Sequence, residues 1–176
     1  MAPPWRTTRW FNLPADRSTL ELADLRGRVV VLHAFQMLCP GCVLHGLPRA
    51  QRIAAAFSPD DVALVGLHTV FEHHAAMTPV SLAAFLHEYR IHFPAGVDAY
   101  REGGPAHDPI PQTMRLYSLR GTPSLVLIDR AGRVRRSGFG AEEDLTLGAA
   151  IATLIAEPFD DEHGAAAGTE AAAPAV

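Results

Sequence analysis

Three short apolar runs set the terms on which this chain can fold: "RGRVVVLHAF" (26–35), "VALVGLHTV" (62–70) and "TPSLVLID" (122–129). Their β-branched character suits strands buried inside a sheet, with the first as a central strand covered on both faces. The intervening segments change period. Between Leu47 and Phe57, the residues Leu47, Ala50, Ile53, Ala54 and Phe57 recur at helical spacing, with Arg49, Gln51 and Arg52 pointing away. In "TPVSLAAFLHEY" (78–89), Thr78 is placed to cap a helix that Pro79 opens, and Leu82, Phe85, Leu86 and Tyr89 form one face.

The stretch "DAYREGGPAHDPIPQ" (98–112) is rich in Gly and Pro and reads as a loop, followed by a short helix in "QTMRLYSL". "TPSLVLID", the turn "RAG" and "RVRRSGF" (133–139) form a hairpin, and "EEDLTLGAAIATLIA" (142–156) is a closing helix with acidic residues in its first turn. The order predicts an α/β sandwich around a mixed sheet, its first two strands parallel and its last two antiparallel. At 176 residues the chain makes one domain. We place that domain at 1–157 and a disordered, Ala-rich C-terminal tail at 158–176.

The chain's two cysteines, Cys39 and Cys42, fall where the first apolar run hands over to its helix, in "HAFQMLCPGCVLHGLP" (33–48). With Cys39 as N-cap, Pro40 is the first helical residue, where its missing N–H costs nothing. The Cys39 sulfur then faces the N–H of Gly41 or Cys42. Those amides and the helix dipole favour a thiolate, so Cys39 is the expected nucleophile. Cys42, one turn along on the same side, is close enough to close a disulfide and act as resolver. A zinc or Cu(I) site is the rival, but zinc requires about four ligands and no second spaced pair of donors is present.

The strand "VVVLHAF" followed by CPGC, and later "RGTPSLVLIDRAGRV", resemble the thioredoxin superfamily, most closely its TlpA/ResA-type thiol-disulfide oxidoreductases. The resemblance covers roughly residues 17–156. It implies a thioredoxin-like three-layer sandwich with helices flanking the sheet. It also implies that Gly121, Thr122 and Pro123 form a cis-proline loop beside the sulfurs that pairs with an extended substrate segment. Where the family keeps a buried polar residue, six positions before Cys39, this chain has His33, a candidate to take and return the proton of the resolving thiol. Two departures stand out. Leu38 occupies the place of the usual Trp, and Pro48 lies six residues beyond Cys42 where relatives place a proline at five, so the helix is expected to break or kink there.

The expected activity is thiol-disulfide exchange with a protein or small-molecule disulfide, recycled by a thiol reductase or a low-molecular-weight thiol, with no organic cofactor or resident metal. A peroxiredoxin-like peroxidase is an alternative from the same fold, although its Thr-x-x-Cys surroundings are missing because position 36 is Gln. A metal-binding module using the cysteines with one histidine is another, and His68, His73, His74 and Met77 supply candidate donors. All fifteen basic residues are arginine and the net charge is -4, so no basic stripe invites nucleic acid. The run "VVVL" is far too short to span a bilayer, and the N-terminus has no apolar stretch of signal length, so a cytoplasmic address without membrane attachment is expected.

Overall fold

The computed structural model describes residues 1–159. Six strands form one sheet: β1 (Thr7–Phe11), β2 (Val29–Phe35), β3 (Val62–His68), β4 (Ala95–Asp98), β5 (Ser124–Ile128) and β6 (Val134–Phe139). Their spatial order is β1-β4-β3-β2-β5-β6. β2, β3 and β4 run parallel, whereas β5, β6 and β1 are antiparallel to their neighbours. The three apolar runs are thus the three innermost strands about β2, and every residue of β2, β3 and β5 is buried. The expected mixed sheet and α/β class are what the chain adopts.

Alternation along β2 divides the core. Val30, Leu32 and Ala34 face a cluster with Trp5, Leu25 and Tyr117. Val29 and Val31 face a cluster with residues of α1 (Leu47–Ala56) and α4 (Asp144–Ala156). Phe35, on the same face, meets Leu82 and Leu86 of α2 (Pro79–Glu88). Each fully buried Val or Leu here contributes about 1.5–3 kcal/mol, which is why continuous apolar runs sit at the centre.

Thr78 caps α2 as its sequence predicts, its side chain accepting the Ser81 N–H at 3.2 Å. The face of α1 differs from expectation. Arg49 is buried and Ala54 exposed, because the Arg49 guanidinium is drawn inward to Asp144 of α4 at 3.1 Å. The arginines of the late hairpin lie on an edge strand and are largely paired, Arg135 with Glu157 and Arg136 with Glu142. Of the tail placed at 158–176, all beyond Phe159 lies outside the described residues. Phe159 itself carries the Arg130 guanidinium 4.9 Å from its ring centre. No helix among the described residues is long and apolar enough to cross a membrane.

Candidate active site

β2 ends at Phe35, the chain turns through Gln36–Leu38, and helical geometry begins at Pro40. Cys39 stands at the N-cap: its carbonyl accepts the Val43 N–H at 3.1 Å. The Cys42 N–H lies 3.3 Å from the Cys39 sulfur, the contact the local sequence predicts. Cys39 is partly exposed and Cys42 wholly buried, and both are free thiols. Leu38, beside Cys39, is 57% exposed and offers an aliphatic surface.

The two sulfurs sit in different surroundings. Cys42 receives the Gln36 main-chain N–H at 3.5 Å. Burial, reinforced by the hydrogen bond with Cys39, pushes its thiol up to about 12, so it holds its proton at neutral pH. The Cys39 thiol reaches the Thr122 carbonyl at 3.4 Å. The bond between Thr122 and Pro123 is cis, and a Cβ on Gly41 would stand 3.2 Å from the Pro123 ring. The cis-proline loop therefore lies directly against the helix start, with Thr122 and Pro123 in contact range of the dithiol. Gly121 is set behind them, against Phe139, where a Cβ would come to 2.8 Å.

Cys42–Gly46 form a single π-turn that runs straight into α1, with Pro48 in its first turn. The helix therefore runs on through Pro48 without a break, one of the two outcomes expected there. A proline ring clashes with the carbonyl four residues back and lacks an N–H, and a widened turn absorbs both faults: the Leu47 N–H bonds to the Cys42 carbonyl, five residues back. Gly46 is the contact point of this turn with the sheet. A Cβ there would fall 2.8 Å from His33 Cε1 and 2.9 Å from Pro123 Cβ, so only glycine fits between them.

His33 is 2% exposed, lies beneath Gly46 and stacks on Phe35. Burial, with the nearby Arg49 charge, lowers it to about 4, so it is a neutral imidazole at physiological pH. Its Nε2 has no hydrogen-bond partner, and neither sulfur is bonded to it. The 100–112 excursion folds back on the 69–77 segment instead of reaching the sulfurs: Tyr100 donates its hydroxyl to the Val70 carbonyl at 2.6 Å and its ring meets His74. His68 is buried beside Phe35, and among the described residues no group of three or more His, Cys, Asp or Glu side chains could hold a metal ion. A concavity of about 560 Å³ bordered by Leu13, Arg28, Ile53, Phe57 and Phe93 contains neither cysteine.

Sequence reasoning missed Gln36 and Gly46. Gln36 carries a usable signal, a polar residue at the end of an otherwise apolar strand. Gly46 carries none, because its need for a missing Cβ arises only when the cis-proline loop arrives from far along the chain.

A model of the AhpC/TSA family matches residues 6–137, three quarters of the chain. The chain belongs to the AhpC/TSA family. Among solved structures, this redoxin is similar to a thioredoxin-like superfamily protein at 58% identity and TM-score 0.82, covering 89% of this chain and 97% of that one. It is similar also to a thiol-disulfide isomerase from Corynebacterium glutamicum at 45% identity and TM-score 0.80, covering 89% and 98%. StoA from Bacillus subtilis, at 18% identity and TM-score 0.59 over 85% of this chain and 96% of that one, shares the fold. None of the curated proteins matches the chain. With this family, a thioredoxin-like fold and a dithiol at a helix start, the redoxin is a thiol-disulfide oxidoreductase.

Proposed function

We propose that the CPGC pair exchanges electrons with protein disulfides in the manner of the TlpA/ResA-type oxidoreductases. Cys39 attacks a substrate disulfide, forming a mixed disulfide and releasing one substrate sulfur as a thiol. Cys42 then displaces the second substrate sulfur by bonding to Cys39. Two electrons pass to the substrate and the protein is left with a Cys39–Cys42 disulfide, which a thiol reductase or small thiol returns to the dithiol. The observation that carries this reading is the asymmetry of the pair: the outer sulfur is accessible and receives an amide donor, while the inner one is covered and protonated.

Thr122, Pro123 and Gly121 are proposed as the substrate cradle, supported by the Thr122 carbonyl lying 3.4 Å from the attacking sulfur. His33 is proposed to receive the Cys42 proton during resolution. A neutral imidazole one turn beneath that cysteine supports the role, and its low basicity keeps the contribution below the roughly 100-fold or more usual for a well-matched general base. The cytoplasmic address proposed for the chain favours net reduction.

The test is dithiothreitol-driven insulin reduction with trapping. Cys39→Ser is expected to abolish turnover, Cys42→Ser to accumulate mixed disulfides, and His33→Ala to slow release of the second thiol more than the first attack. Equal behaviour of wild type and both cysteine variants would sink the exchange reading. Peroxide consumption by the reduced protein, far faster than by a free thiol and lost in Cys39→Ser, would favour the peroxidase instead.

A further inference from the structure

Gln36 is polar, 1% exposed, and joined by hydrogen bonds to both cysteines and to Thr122. Its main-chain carbonyl accepts the Cys39 N–H at 3.4 Å, and its main-chain N–H points at the Cys42 sulfur at 3.5 Å. Its side-chain Nε2 donates to the Thr122 hydroxyl at 3.3 Å, and its Oε1 accepts the Phe71 N–H at 3.2 Å. The Thr122 carbonyl in turn accepts from the Cys39 sulfur, so Gln36, Thr122 and Cys39 form a closed ring of hydrogen bonds.

We propose that Gln36 is a positioning residue for thiol exchange, fixing the cis-proline loop relative to the attacking sulfur through its amide bond to Thr122. The main-chain contacts survive any substitution but proline at this position; the side-chain amide does not. Attack on a disulfide needs the incoming sulfur in line with the bond it breaks, and misplacement by a fraction of an ångström lowers the rate without unfolding anything. Through Oε1 the same side chain ties in the segment after β3, on which Tyr100 and the 100–112 excursion rest. The inference relies on the exchange reading above, with the substrate lying on the cis-proline loop.

A purely structural Gln36 would alter stability alone. A positioning Gln36 alters the rate per folded molecule, and does so through Thr122. The experiment measures kcat/KM for reduction of a disulfide-bonded peptide, corrected for folded fraction, in Gln36→Met, Thr122→Val, Thr122→Ser and the Gln36→Met/Thr122→Val double variant. Gln36→Met and Thr122→Val are each expected to lose roughly tenfold. Thr122→Ser, which keeps the hydroxyl, is expected to lose clearly less than Thr122→Val, and the double variant to be no slower than the worse single one, as for two ends of one bond. Multiplying losses in the double variant, or unchanged rates in a folded Gln36→Met, would overturn the inference while the exchange reading stood. If Gln36→Met fails to fold, the comparison of Thr122→Val with Thr122→Ser decides, and equal rates overturn it. A wild type that leaves the peptide oxidised overturns the exchange reading and this inference together.

Discussion

His33 and His68 both pack against the Phe35 ring, at centroid distances of 5.7 and 5.4 Å, and each keeps a buried Nε2 without a partner. Burial lowers both to about 4. In an unfolded chain they titrate near 6.5. Between these values the unfolded state binds protons that the folded state refuses, so stability is full above about 6.5 and is lost as pH falls towards 4. The shifts correspond to at most about 3 kcal/mol per imidazole. Asp98, whose carboxyl is raised by burial, titrates in the opposite sense and offsets part of the loss at the acid end. Urea unfolding at pH 7.5, 6, 5 and 4.5 is therefore expected to show a falling stability with a slope near two protons, reduced by about one in His68→Gln. A slope unchanged by that substitution would show that His68 is not the buried neutral group described here. At this scale the cysteines were legible, because spacing and a following proline determine a helix cap locally. Gly46 was not, and Gln36 showed only as a polar residue after an apolar strand, because their partners Pro123 and Thr122 lie more than seventy residues away in the chain.

Among elements, the strongly apolar strands β2, β3 and β5 and the helices α1, α2 and α4 could be read from periodicity, but β1 and β4 could not. "TTRWF" carries mixed polarity on an edge, and "AGVD" is too short and too small in its side chains for a pattern to emerge. Both are strands because the sheet recruits them: Gly96 allows the Trp10 ring to pack where a Cβ would approach to 3.0 Å. Asp98, read from sequence as the start of a loop, is the joint of this region. Its carboxylate accepts the N–H groups of Thr113 and Met114 at 2.9 Å, at the start of α3 (Gln112–Leu116), and the Thr69 hydroxyl at 2.9 Å. It thereby anchors the far end of the 100–112 excursion to β4. Asp98→Ala leaves buried donors unpaired, at a cost of about 1–3 kcal/mol for each group left without a partner. The expected result is a lower denaturation midpoint together with faster amide exchange at Thr113 and Met114. Exchange at those two amides as slow as in wild type would mean that another group holds the helix start.

At the scale of the molecule, the dithiol stands at one end of β2 and the N-terminal segment closes the sheet at its edge and lower face. Trp5 is 4% exposed in the cluster around Val30 and Leu32, its ring tilted against that of Trp10 at a centroid distance of 5.9 Å. The segment is fastened by the Tyr117 hydroxyl to the Pro3 carbonyl at 2.6 Å and by the Arg6 N–H to the Thr113 hydroxyl at 2.8 Å. Without β1, the inner strand β4 would become an open edge with unpaired main-chain groups, a template for association. The contacts that hold the N-terminal segment are thus separate from the dithiol, since none of them touches Gln36, Cys39, Cys42 or Thr122. Trp5→Ala removes a large buried side chain and is expected to cost about 3–5 kcal/mol. For a domain of this size that lowers Tm by roughly 6–20 °C. Disulfide reduction per folded molecule should remain at the wild-type rate, measured at a temperature where both proteins are folded. A fall in that rate would show that the N-terminal segment reaches the dithiol through the sheet, because β2 carries both the Val30–Leu32 face that Trp5 covers and the turn that presents Cys39.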